Sequence, residues 1–363
     1  MASVNWSLPH AVPVRAIRRL GHSGLLPGLV VAVALGTAAA VLGHWVPVVG
    51  APVLALLLAI GVRALLDRGL STAAVRLTVR LRPGAAFAGR YLLQVAIVLF
   101  GAGLSVATVL RVGAASLPVM LGTLAVCLVA AWLLGRALRI DDPLRALIGT
   151  GTGICGASAI AAVGPALAAD ATEMAYALST IVVYNVLAAV LFPVIGHALA
   201  LGQHAFGLWA GTAVNDTSSV VATAYAYGPA AGQYAVVVKL TRSLMIVPVV
   251  LALIAARARR AASGAPGTVA PRQPVWRLVP PFIVLFLLAA ALNSVGAVPA
   301  GWHGSLPHLA GFATAVAMAG IGLGTSFAQL RRVGLRPLAL GGLLSTLTAA
   351  SSLALQALTG SLR

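Results

Sequence analysis

The chain has 363 residues, 60% of them hydrophobic and only 8% charged, with 24 lysines and arginines against 6 acids for a formal charge of +18. So few charges cannot cover a soluble protein of this length, and the basic excess is not a nucleic-acid signature, because the arginines lie in short clusters between apolar runs. The 2 cysteines, Cys127 and Cys155, both fall in apolar stretches and define neither a disulfide framework nor a thiolate metal site, so no cofactor or metal is expected.

Residues 1–24 carry Arg15, Arg18 and Arg19 and read as a cytoplasmic N-terminal segment. The apolar run behind it continues through Leu42 without a polar exit, which favours a retained first span over a cleaved signal. Apolar segments follow at 25–43, 48–66, 92–110, 116–135, 146–168, 174–196, 206–225, 234–256, 278–296, 305–327 and 337–358, each near the length that crosses a bilayer core. The chain is therefore expected to be all-α and polytopic, with about 11 transmembrane helices. Arginines concentrate in alternate loops (Arg68 to Arg90, Arg136 to Arg145, Arg257 to Arg277, Arg331 to Arg336), which predicts a cytoplasmic N-terminus and an external C-terminus. Thr72 to Tyr91, where Arg76, Arg80 and Arg82 alternate with aliphatics, is expected to lie along the cytoplasmic interface. A cytoplasmic linker at 257–276, rich in Gly and Pro, divides a membrane part at 25–256, with about eight spans, from one at 277–363, with about three.

Gly101-Ala-Gly-Leu-Ser, followed by Leu110-Arg111 and Pro118, has an echo in Gly320-Ile-Gly-Leu-Gly, followed by Leu330-Arg331 and Pro337. The two spans should run in opposite directions, as in transporters built from inverted repeats.

Three segments carry the polar residues that matter. Gly149 to Ser158 places four glycines in the fifth apolar region, which predicts a broken helix whose free N–H groups face a cavity. Its Gly151, Gly153 and Gly156 also spell a dinucleotide-binding fingerprint, but no strand precedes them and another span follows, so that match is fortuitous. Gly211 to Ser219 repeats the pattern: Gly211-Thr212 answers Gly151-Thr152, and Ser218 answers Ser158. Its run Asn215-Asp216-Thr217-Ser218 is a buried polar site or a helix cap. Both spans are expected to point the same way. Lys239, the one lysine, and Arg242 share a helix face inside an apolar run. Cations at that depth mark ion paths unless they snorkel to headgroups. The substrate-binding candidates are thus Gly151, Thr152, Gly153, Cys155, Gly156, Ser158, Asn215, Asp216, Thr217, Ser218, Lys239 and Arg242. Asn185 and Tyr184 read as interhelical hydrogen-bonding residues, and His44, His197 and His204 as interfacial.

Three stretches resemble the bacterial sulfate exporter family of inner-membrane proteins. They are Gly151 to Ile160, Gly211 to Ala222 and Val238 to Pro248, and the likeness extends from about Leu25 to the C-terminus. The resemblance implies an inner-membrane, multi-pass secondary transporter of small inorganic or organic anions, sulfate export included. It also implies crossed broken helices in an inverted-repeat fold. Alternating access with a coupling proton or sodium ion is the expected mechanism, and a homo-oligomer in the lipid bilayer is compatible with it. Asp216 is expected to hold a cation when the site is empty. An enzyme using Cys155 is not expected, since no histidine lies in a span core. A channel or partner-binding scaffold without coupling is the alternative.

Overall fold

A computed structural model describes residues 24–43, 45, 50–68, 72–262, 281–325 and 334–362. Among them every regular element is helical: α1 (Leu26–Gly43), α2 (Gly50–Arg68), α3 (Thr72–Phe87), α4 (Leu93–Ala102), α5 (Val106–Ala137), α6 (Asp142–Thr150), α7 (Ala157–Ala166), α8 (Ala171–Ala198), α9 (Gln203–Ala213), α10 (Thr217–Tyr227), α11 (Pro229–Ser243), α12 (Ile246–Ala262), α13 (Pro281–Ser294), α14 (Ser305–Gly324) and α15 (Leu335–Leu358). π-helical turns at Ala88–Leu92 and Gly151–Cys155 join α3 to α4 and extend α6. Eight of the described helical runs are long and apolar enough to cross a bilayer. The chain is a polytopic helical membrane protein.

Several elements depart from the sequence reading. Thr72 to Tyr91 does not lie apart as an interface helix; with α4 it forms one apolar run of 30 residues, Ala73–Ala102, of spanning length. Gly84 and Gly28 let its backbone touch that of α1, since a Cβ on Gly84 would lie 2.1 Å from the Leu25 carbonyl oxygen. The expected span at 92–110 instead breaks at Gly103, and α5 starts at Val106, capped by Ser105, whose hydroxyl accepts from the Thr108 N–H at 3.1 Å. The start of the expected linker at 257–276 is helical, because α12 runs to Ala262. Its residues 263–276 lie outside the described residues, as do Arg15, Arg18 and Arg19, His44, and Leu330 to Arg332. The two membrane parts interleave: α14 packs on α1 and α2, and α15 packs on α5, α8 and α9. Where α1, α2 and α14 meet, Ala32, Ala39, Ala55, Ala59, Ala315 and Ala319 are fully buried, the small-residue packing by which helices approach in lipid.

The most consequential departure concerns the segments at 146–168 and 206–225. Neither is a continuous span. Each is a helical hairpin whose limbs are too short to cross a bilayer. For α9 and α10 the two ends are joined. The Tyr227 hydroxyl donates to the carbonyls of Gly196 and Leu201, its ring stacks on Phe206 at 3.8 Å, and Gln203 Oε1 accepts from the N–H groups of Ala230 and Ala231. Limbs of 11 residues reach about 16 Å, half of the roughly 30 Å hydrocarbon core. For α6 and α7 the base is closed by one apolar cluster that includes Ile140, Leu144, Val163 and Ala166. Arg145 packs there on Gly135, at the end of α5.

The hairpins enter from opposite faces. α8 starts beside the base of the first hairpin, where a Cβ on Gly164 would lie 2.9 Å from Met174, passes the tip at Ile181, and reaches Gly196 at the base of the second. α4 and α14, which carry the glycine echo, also run in opposite directions, and a Cβ on Gly89, just before α4, would lie 2.9 Å from Ile321 of α14.

Candidate functional site

The tips of the two hairpins meet in the middle of the protein. Gly156 turns the first with φ +64°, a conformation that favours glycine, and a Cβ there would lie 3.2 Å from Asp216 Oδ1 at the tip of the second. Each hairpin consists of an entering limb, whose last carbonyls lack helical partners, and a returning limb, whose first N–H groups lack them. Four helix ends are thus brought to one place with their dipoles unsatisfied.

Two cations satisfy the carbonyl ends. Lys239 Nζ donates to the carbonyls of Ile154 (2.9 Å) and Val214 (2.8 Å), one from each tip. Arg242 Nη1 donates to the Thr212 carbonyl, and Nη2 to the Thr152 carbonyl at 3.5 Å. Both side chains are fully buried. The paired carbonyls are positional equivalents: the offset from Ile154 to Val214 is the offset from Thr152 to Thr212, and it also relates Gly156 to Asp216 and Ser158 to Ser218. The likeness between the two segments is therefore an inverted one. The sequence reading had both pointing the same way, but their entering limbs start from opposite faces. α11 reaches the tips because Gly207 and Gly211 let it lie against α9, where a Cβ on Gly211 would fall 2.8 Å from Val238.

The N-terminal ends are treated unequally. Asp216 caps α10, with Oδ2 accepting from the Ser218 N–H at 3.1 Å and from the Ser218 hydroxyl, while the Asp216 N–H donates to Asn185 Oδ1 at 3.1 Å from α8. Asn185 is thus the interhelical residue expected, and its partner is the tip itself. The start of α7 has no side-chain cap, and Ala157 and Ser158 there are exposed. Among the described residues no ion pair joins Asp216 to Lys239 or Arg242; the cations are engaged by carbonyls. The buried atoms Thr152 Oγ1, Asn215 Oδ1 and Arg242 Nε have no partner in the protein.

Each expected residue can be placed. Gly151, Thr152, Gly153, Cys155 and Gly156 form the buried first tip, and Ser158 sits on its open side. Asn215, Asp216, Thr217 and Ser218 form the second. Cys127 donates its thiol to the Gly149 carbonyl at 3.6 Å, beside the first hairpin. His197 and His204 are exposed near the base of the second hairpin, stacked on Tyr227 and Tyr234. The carbonyls of Thr152, Ile154, Thr212 and Val214 are groups that no side-chain motif announces; the sequence signal for them is the repeated Gly-Thr spacing.

A polytopic helical membrane protein with two opposed re-entrant hairpins clamped by buried cations is the class these observations define. The chain belongs to the family described as "Conserved hypothetical protein 698", whose model matches residues 27–341. It is 38% identical over 343 residues to a UPF0324 membrane protein of Streptococcus pyogenes serotype M3, covering 92% of this chain and 97% of that one. A UPF0324 membrane protein of Clostridium tetani is 39% identical over 288 residues, with 77% and 84% covered. One from Streptococcus agalactiae serotype V is 35% identical over 349 residues, with 92% and 98% covered. No solved structure matches the chain.

Proposed function

We propose that the protein is a secondary transporter of a small oxyanion, sulfate among the candidates, that works by alternating access in a bacterial plasma membrane with its N-terminus in the cytoplasm. The observation that carries this reading is the meeting of two opposed hairpin tips at mid-depth, with the uncapped start of α7 beside the Asp216 carboxylate. Free N–H groups at a helix start accept an anion, and Ser158 adds a hydroxyl there. Lys239 and Arg242 act from behind the tips. They hold the entering limbs together and supply positive charge across a short protein wall without touching the anion. Asp216 lies close enough to Gly156 that its charge opposes an anion at α7, so the anion enters with a proton or a sodium ion on Asp216. That gives coupling by elementary electrostatics.

Opposed hairpins suit alternating access because either can withdraw toward its own face while the other stays closed. The test is flux of labelled sulfate and sulfite into proteoliposomes under pH and sodium gradients of each sign. Gradient-driven accumulation above empty liposomes is expected, with loss of flux in Lys239→Met. Flux that dissipates every gradient without accumulation indicates a channel, and no flux with either anion removes the transporter reading.

A further inference from the structure

Away from the hairpin tips, the turn between α5 and α6 borders an open cleft of about 520 Å³ lined by Trp132, Arg136, Arg139, Asp141, Asp142 and Arg145. We propose that it binds the headgroup of an acidic phospholipid of the phosphatidylglycerol type.

Its position places it where α5 leaves the lipid. Val129, Trp132 and Leu133 are 56%, 51% and 53% exposed, an apolar face suited to acyl chains, and Arg136 follows one turn later. The Arg136 guanidinium lies over the Trp132 ring at 5.1 Å from its centroid. Its reach is thereby fixed at the boundary between apolar helix and cleft. Arg139 sits at the turn with φ 53°, an unusual conformation for a side chain of its size, and lines the cleft. Arg145 enters from α6, its stem packed on Gly135 and its guanidinium paired with Asp142 at 2.7 Å.

The charges sort as a headgroup requires. Arg145 and Asp142 neutralise one another, while Arg136 and Arg139 have no carboxylate within ion-pair distance among the described residues. The two guanidiniums take a phosphodiester, and the Asp141 carboxylate accepts from the hydroxyls of a glycerol headgroup. A free anion would gain the guanidiniums but not the apolar face of α5; a lipid gains both.

The test uses the full chain in neutral detergent, delipidated and titrated with short-chain phosphatidylglycerol, phosphatidylcholine, phosphatidylethanolamine or inorganic phosphate. Thermal unfolding and native mass spectrometry read the binding. Phosphatidylglycerol is expected to raise the melting temperature and to be retained as a bound lipid, while the other three do neither. Arg136→Gln with Arg139→Gln is expected to weaken retention about tenfold or more, as for loss of charge-assisted contacts, and Arg111→Gln at the far end of α5 to leave it unchanged. Equal effects of phosphatidylglycerol and either zwitterionic lipid overturn the proposal. So does an equal effect of phosphate alone, or undiminished retention by the folded double variant. The comparison of ligands on the unaltered protein decides the matter even if the variant does not fold.

Discussion

Lys239 is anomalous in the sequence and becomes intelligible through two backbone oxygens. Each unpaired helix C-terminus carries partial negative charge, and an ammonium between two of them satisfies both while its own burial is offset. Lys239→Met keeps the apolar stem and removes the donors. It leaves two buried carbonyls bare at about 1–3 kcal/mol each, set against relief of a buried charge, so a net loss of about 2 kcal/mol is expected in thermal unfolding. A variant as stable as the parent shows that water replaces the ammonium. Asp216→Asn retains an oxygen that can cap α10 but cannot carry a proton. It is expected to keep anion exchange within a few-fold while abolishing the response to a pH or sodium gradient, measured in proteoliposomes. Unaltered coupling in that variant moves the coupling site elsewhere. The lysine and aspartate were legible as buried charges in an apolar run. Their roles were not, because the groups that define them are main-chain carbonyls, which look alike in every sequence.

At the scale of elements, hydropathy found most of the apolar stretches, but it misplaced the run Ala73–Ala102 and read 146–168 and 206–225 as single spans. An apolar window of 20 residues reads the same whether it is one span or two limbs of 11 residues folded back. Three features distinguish them: the Gly156 turn, the Asn215-Asp216 interruption, and the clasp of Tyr227 on Gly196 and Leu201. The first was read as a break, and the second as a buried polar site or a helix cap. The third joins residues far apart in sequence and has no local signature.

Three helix ends share a further device. Ile140 N–H bonds back to Gly135, Ala169 to Gly164 and Leu201 to Gly196, each across a residue at positive φ: Arg139, Ala168 and Ala200. This is the helix stop that glycine normally occupies. Ala200→Gly relieves a cost of about 1–2 kcal/mol, less the roughly 0.5–1 kcal/mol of added freedom in the unfolded chain. A stabilisation of about 0.5 kcal/mol is expected as a rise in melting temperature, and a fall would mean that the Ala200 methyl group makes contacts worth more than the strain.

For the whole molecule, the two sequence halves on either side of the linker are not two bodies, since α14 and α15 pack among the first eleven helices. The inverted relation is carried by the hairpins, and its physical expression is that a cation on α11 meets equivalent atoms of both. On the transporter reading, such an arrangement opens toward one face and then the other, and that reading is testable with Ser158. It is exposed at the start of α7, whereas the native Cys127 and Cys155 are buried and give a silent background for thiol reagents. Ser158→Cys in sealed vesicles is expected to react with a membrane-impermeant thiol reagent from one face only. Sulfate with an imposed pH gradient should shift that accessibility toward the other face. Arg139→Cys and Arg111→Cys, at opposite ends of α5, report sidedness in the same vesicles, and the arginine distribution predicts that Arg139 faces the cytoplasm. Simultaneous reaction of Ser158→Cys from both faces describes a continuous pore and contradicts alternating access. Reaction from neither face places the start of α7 outside any pathway, and the site would then have to be sought away from the tips.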